Sequence, residues 1–141
     1  MAKEGRKVER VLLGIAGEVV GFLQARAWQA LVSATPVYTG FARSSWFPTL
    51  GSPLTQPIEK PSLDAAARQA AAKQLAENRG RSKKIQDTYR IGQGAAFITN
   101  PASYIVFLNG GSSAQAPAMF VERAVEQAAV SLRNFRPRRS G

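Results

Sequence analysis

Val8, Leu12, Ile15, Val19 and Phe22 recur at steps of four and three residues, which lines all five along one face of an α-helix. No other feature of the chain constrains its fold as strongly, and the period predicts a helix from about Lys3 to Ser33. Leu13, Ala16, Val20, Ala27 and Leu31 widen the apolar face beyond the stripe a surface helix needs, so this helix calls for cover on two sides. Gly14, Gly17 and Gly21 fall on a further shared arc. Each costs about 1 kcal/mol of helix propensity relative to alanine, so the arc points to close approach of another backbone. That makes the three glycines candidates for a subunit interface; the alternative is a locally loose helix inside a monomeric core.

With 141 residues, 45% of them hydrophobic, the chain has material for one domain with a single modest core. Lys3, Arg6, Lys7 and Arg10 precede the apolar run from Val11 to Leu23, and Ala25-Arg26-Ala27 follows, a pattern that resembles a secretory signal. Glu18 within the run and its glycines count against that reading. The run of 13 residues falls short of the roughly 20 needed to span a membrane. The expectation is a soluble protein made in the cytoplasm.

Beyond the first helix, Thr35-Pro36-Val37-Tyr38-Thr39-Gly40 breaks the period, because Pro36 disfavours the α conformation at Thr35 and Gly40 permits a turn. A strand is expected from Arg43 to Leu50. Pro53, Pro57 and Pro61 then mark an exposed loop or arm over residues 51–61, with Pro53 and Pro57 as candidate subunit contacts. Ser62 is placed to cap an alanine-rich helix running to about Asn78, with Asp64 in its first turn and Gly80 as its stop. Its small side chains predict a peripheral position. Two short strands are expected around Thr88–Gly92 and Ala95–Asn100, then a short apolar element from Tyr104 to Leu108. A last helix from about Ala118 to Asn134 should turn Phe120 or Val121, Ala124, Val125, Ala128 and Leu132 inward, ahead of a basic tail at 134–141. The sum is an α+β domain: long N-terminal and C-terminal helices packed on a small, mainly antiparallel sheet.

The chain has no cysteine and no histidine, which removes thiolate nucleophiles, imidazole bases and the commonest transition-metal ligands. Ser44, Ser45, Ser112 and Ser113 have no positioned base in prospect. Glu122 and Glu126 share a helical face beside Arg123, a spacing that is far more often surface decoration than an acid/base pair. Gly92-Gln93-Gly94 lacks the third glycine and following helix of a dinucleotide loop, and reads as a turn. No catalytic residue, cofactor or metal is therefore expected. The charge balance is 19 Lys and Arg against 9 Asp and Glu, formally +10, which draws the protein towards a polyanion or an acidic partner. Arg79, Arg81, Lys83, Lys84 and the tail residues Arg136, Arg138 and Arg139 are the candidate contacts, although such a run is usually a solvated face. Nothing resembles a helix-turn-helix or an RNA-binding aromatic motif, so only nonspecific nucleic-acid contact is expected.

Two stretches resemble a known family. Thr35-Pro36-Val37-Tyr38-Thr39-Gly40 followed by Arg43-Ser44-Ser45-Trp46 is similar to the "TPVxTGxxRxSW" segment of the tail-completion or head–tail joining proteins of long-tailed bacteriophages. Ile98-Thr99-Asn100, Tyr104-Ile105, Leu108, Gly110, Gln115-Ala116-Pro117 and Phe120-Val121 resemble that family's "N…YAxxLExG…QAPxxF" region. The likeness covers residues 33–50 and 97–130, and departs from the pattern at Tyr38 and Asn109, where the family favours acids. It implies a virion protein that forms a ring in the neck or upper tail, commonly six-fold or twelve-fold, that joins tail to head. It implies no catalytic residue. Thr35, Pro36, Gly40, Arg43, Trp46, Asn100, Tyr104, Gly110 and Pro117 are then expected to build the fold, with Arg43 stacking or pairing at a sheet edge. The expected partners are copies of the chain, other neck and tail proteins and, through its basic segments, genome DNA. A tail terminator, a minor tail protein and a nonspecific nucleic-acid-binding protein are the alternatives.

Overall fold

The computed structural model describes residues 2–36, 41–56, 64–102, 105–107, 109–110 and 118–138. The long amphipathic period becomes helix α1, Ala2–Ala34. A single turn, α2 (Phe41–Ser44), leads into strand β1 (Phe47–Leu50). Helix α3 (Ala65–Thr88), strand β2 (Ala96–Thr99), the turn α4 (Ile105–Phe107) and helix α5 (Phe120–Val130) follow, and then a 3₁₀ turn over Ser131–Asn134. The class is α+β, mostly helical, and among the described residues the strands form a two-stranded antiparallel sheet in which Phe47 faces Thr99 and Leu50 faces Ala96. Pro48 fits within β1 because a two-stranded sheet leaves each strand one edge free of partners.

The second half of α1 is the centre of the molecule. Trp28, Leu31 and Val32 join Trp46 and Ala124 in the core, and Leu75 of α3, Ile98 of β2, Ile105 of α4 and Val121 of α5 close around them. By length and composition α1 is apolar enough to cross a membrane, unlike its 13-residue apolar run taken alone. Only the inner face of its second half is covered by its own chain.

Several expectations change. Residues 43–45 form the end of α2 and a turn rather than the start of a strand. Asp64, not Ser62, caps α3: its side chain accepts the Ala67 backbone N–H at 2.8 Å. The helix then runs through Gly80 to Thr88, so the strand expected around Thr88–Gly92 is helix end and turn. Tertiary contact explains the extension. Asn78, Ser82 and Ile85 on one face of α3 are buried, and Tyr89 just beyond it is buried too, which outweighs the propensity lost at one glycine, about 1 kcal/mol. The helix is accordingly less peripheral than its alanines suggest. In α5, Phe120, Ala124 and Ala128 point inward as expected, whereas Val125 is 49% and Leu132 38% exposed.

Candidate assembly surface

Thr35, Pro36, Arg43 and Trp46 are spent on ending α1. Thr35, 1% exposed, donates its hydroxyl proton to the Leu31 carbonyl at 2.6 Å and accepts the Trp46 indole N–H at 2.8 Å. Trp28 returns the link by donating its own indole N–H to the Trp46 carbonyl at 2.9 Å. Arg43 does not sit at a sheet edge. Its guanidinium donates to the Thr35 carbonyl at 3.1 and 3.3 Å and to that of Ser33 at 3.4 Å, placing a cation on the orphaned carbonyls at the end of α1. Pro36 is buried directly behind this cap; Gly40 lies outside the described residues.

Asparagines hold the short turn α2 from outside. Asn78, fully buried, donates to the Ser44 carbonyl at 2.9 Å, and Asn100 donates to that of Ala42 at 2.8 Å while accepting the Ala102 N–H at 3.0 Å. Ser44 and Ser45 both donate their hydroxyls to the Phe41 carbonyl, so these serines are structural. In the second stretch, Asn109 takes over the start of α5: its carbonyl accepts the Met119 N–H at 2.7 Å and its amide oxygen accepts that of Val121 at 2.9 Å. The Asn109 amide nitrogen lies 3.1 Å from both carboxylate oxygens of Glu122. Asn109 thus gives Glu122 a hydrogen-bond donor. Gly110 is exposed with open space around it; Tyr104 and Pro117 lie outside the described residues.

The glycine arc meets the same chain. A Cβ at Gly21 would lie 3.2 Å from the Gln86 carbonyl oxygen, and one at Gly17 3.4 Å from the backbone of Tyr89, Arg90 and Ile91. These two glycines let α1 meet Gln86 of α3 and residues 89–91 just beyond it through their backbones. Gly14 differs, with nothing within 4 Å. Gln24, not anticipated, ties the sheet to α1: its amide donates to the carbonyls of Phe97 at 2.9 Å and Thr49 at 3.2 Å, one from each strand. A polar residue four positions from both Val20 and Trp28, on their shared helical face, is the signal that could have revealed it.

From Lys3 to Gly14 every residue of α1 is exposed, a projection of about 18 Å at 1.5 Å per residue. Val8, Val11, Leu12 and Leu13 are 41–61% exposed along it, so the first helix divides into a core half and an uncovered half. Between that uncovered half and the chain after α3 lies a groove of about 800 Å³, lined by Arg10, Val11, Leu13, Tyr89, Arg90 and Ile91 among others. Pro53 is exposed in the loop after β1; Pro57 lies outside the described residues.

The basic candidates divide as well. Arg79, Arg81, Lys83 and Lys84 are exposed on α3. Arg136 is also exposed, but its guanidinium donates to the Phe135 and Arg133 carbonyls. Arg138 pairs with Glu18 at 3.0 Å and with Asp87 at 3.6 Å, and Phe135 meets Phe22 edge-on at 5.4 Å between ring centroids. The tail through Arg138 is therefore held by α1 and α3 of its own chain; Arg139 lies outside the described residues. Among the described residues no three His, Cys, Asp or Glu side chains converge on a metal-sized site. Comparison with protein-family models, curated protein sequences and solved structures finds no match to this chain.

Proposed function

We propose that this chain is a non-catalytic structural protein of a long-tailed phage particle, forming a ring at the neck or upper tail that completes the tail and joins it to the DNA-filled head. The observation that carries the reading is the uncovered half of α1. Val8, Val11, Leu12 and Leu13 present apolar surface on a projecting helix, and contiguous exposed apolar surface marks a place where another molecule binds. The resemblance in residues 33–50 and 97–130 supplies the kind of assembly. The residues that carry it, among them Thr35, Arg43, Trp46 and Asn100, are engaged in intramolecular hydrogen bonds, as suits a scaffold that handles no substrate.

In this reading the partners are further copies of the chain and adjoining neck and tail proteins, and the protein is made in the host cytoplasm and resides in the virion, with no membrane involved. The exposed cations of α3 face either the genome in the channel or an acidic neighbouring ring. Salt-sensitive binding of duplex DNA by the purified protein selects the first, and its absence the second. The decisive experiment is electron microscopy of particles assembled without this protein. Tails of normal length that fail to join heads are the expected result; overlong tails would assign it to termination, and normal infectious particles would refute both roles.

A further inference from the structure

The groove beside the uncovered half of α1 is apolar with a basic rim. Val11, Leu13 and Ile91, each 41–46% exposed, contribute its apolar surface. Glu18 and Asp87 in its wall are already paired with Arg138, whereas Arg10 and Arg90 have no ion-pair partner among the described residues. An occupant of matching chemistry is a ridge of exposed apolar side chains carrying acids.

One surface of the same chain has that chemistry. The outer face of α5 presents Met119, Glu122, Val125, Glu126 and Val130 at spacings of three and four residues, opposite the buried Phe120, Ala124 and Ala128. Met119, Val125 and Val130 are 58%, 49% and 55% exposed. Met119 also holds a backbone φ of +64°, left-handed for a bulky residue, fixed by the bond from its N–H to the Asn109 carbonyl. The cap therefore places a large apolar side chain in the open at the start of α5. From Met119 to Val125 the axial distance is about 9 Å, close to the roughly 8 Å from Arg10 to Ile15 along the groove wall.

We propose that the groove of one copy receives the outer face of α5 from a second copy, Met119 and Val125 meeting Val11, Leu13 and Ile91, with Glu122 and Glu126 against Arg10 and Arg90. The two surfaces differ, so the contact is head-to-tail and propagates around a ring when the rotation closes. The inference rests on the ring-forming reading above and names the two faces that meet.

The chain has no cysteine, which makes the test direct. Leu13→Cys and Val125→Cys are made in separate, otherwise complete chains, and the two are mixed under mild oxidation. The expected product is a disulfide-linked dimer containing one chain of each kind, with neither variant cross-linking alone. Glu126→Arg weakens self-association about tenfold, and adding Arg90→Glu in the same chain restores most of it. Sedimentation of the unsubstituted protein separates the two levels of the argument. If it assembles but the mixed pair does not cross-link, or Leu13→Cys alone dimerises, the pairing of faces is wrong and the ring reading stands. A monomer at every concentration overturns both.

Discussion

Replacing Thr35 by valine isolates one buried hydroxyl at the point where α1 ends. The side chain keeps its shape and volume, so no cavity opens. The Trp46 indole N–H, which donates to that hydroxyl at 2.8 Å in a residue 5% exposed, loses its acceptor where water cannot replace it. The Leu31 carbonyl is not orphaned, because the Thr35 backbone N–H still reaches it at 3.1 Å. The cost is therefore that of one unsatisfied buried donor, about 2 kcal/mol within a range of about 1–3. Thr35→Ser retains both hydroxyl bonds and removes one buried methyl, at about 1 kcal/mol. In urea, with a slope of about 2 kcal/mol/M for a domain of this size, the valine variant should unfold roughly 1 M earlier than the parent and the serine variant about half as far. Tryptophan fluorescence reports the transition from Trp28 and Trp46, both in the core. Combining Thr35→Val with Trp46→Phe, which keeps Trp28 as the reporter, should cost less than the two changes added, since donor and acceptor then leave together. A valine variant within about 0.5 kcal/mol of the parent, or more stable than the serine variant, would refute the assignment of the hydroxyl to Trp46.

The helical glycines should respond in opposite directions. Gly80→Ala, in open space within α3, should raise stability by about 1 kcal/mol, while Gly21→Val, whose Cβ would press within 3.2 Å of the Gln86 carbonyl oxygen, should lower it by more than about 2, both read by thermal unfolding. Gln24→Leu leaves the Phe97 and Thr49 carbonyls without the amide that bridges them, and should cost about 2 kcal/mol with faster hydrogen exchange in β1 and β2. Arg138→Ala breaks pairs on the surface, where its own side chain is 49% exposed, so its cost should stay under about 1 kcal/mol and fade in high salt.

The apolar period of residues 3–33 and that of the last helix were legible because helices α1 and α5 bury one face, and burial of one face imposes a repeat that the sequence carries openly. The class followed from the order of such segments. What each segment touches was hidden. The first helix carries apolar residues in both halves, yet only residues from Ile15 onward find cover, because the other elements pack around its second half.

Local sequence thus determined that there is a long first helix, a break after it, a helix in the middle of the chain and a closing helix. Only the tertiary structure decided that α3 continues through Gly80, that Gly21 and Gly17 face Gln86 and residues 89–91 of their own chain, and that residues 41–44 coil into a turn rather than extend. The carbonyls of that turn are taken by Asn78 and Asn100, 34 and 58 positions from their acceptors, and the tail is drawn back by Glu18, 120 positions from Arg138. Partners so distant in the chain leave no local period to read. They act only once the core around Trp28 and Trp46 has brought them together.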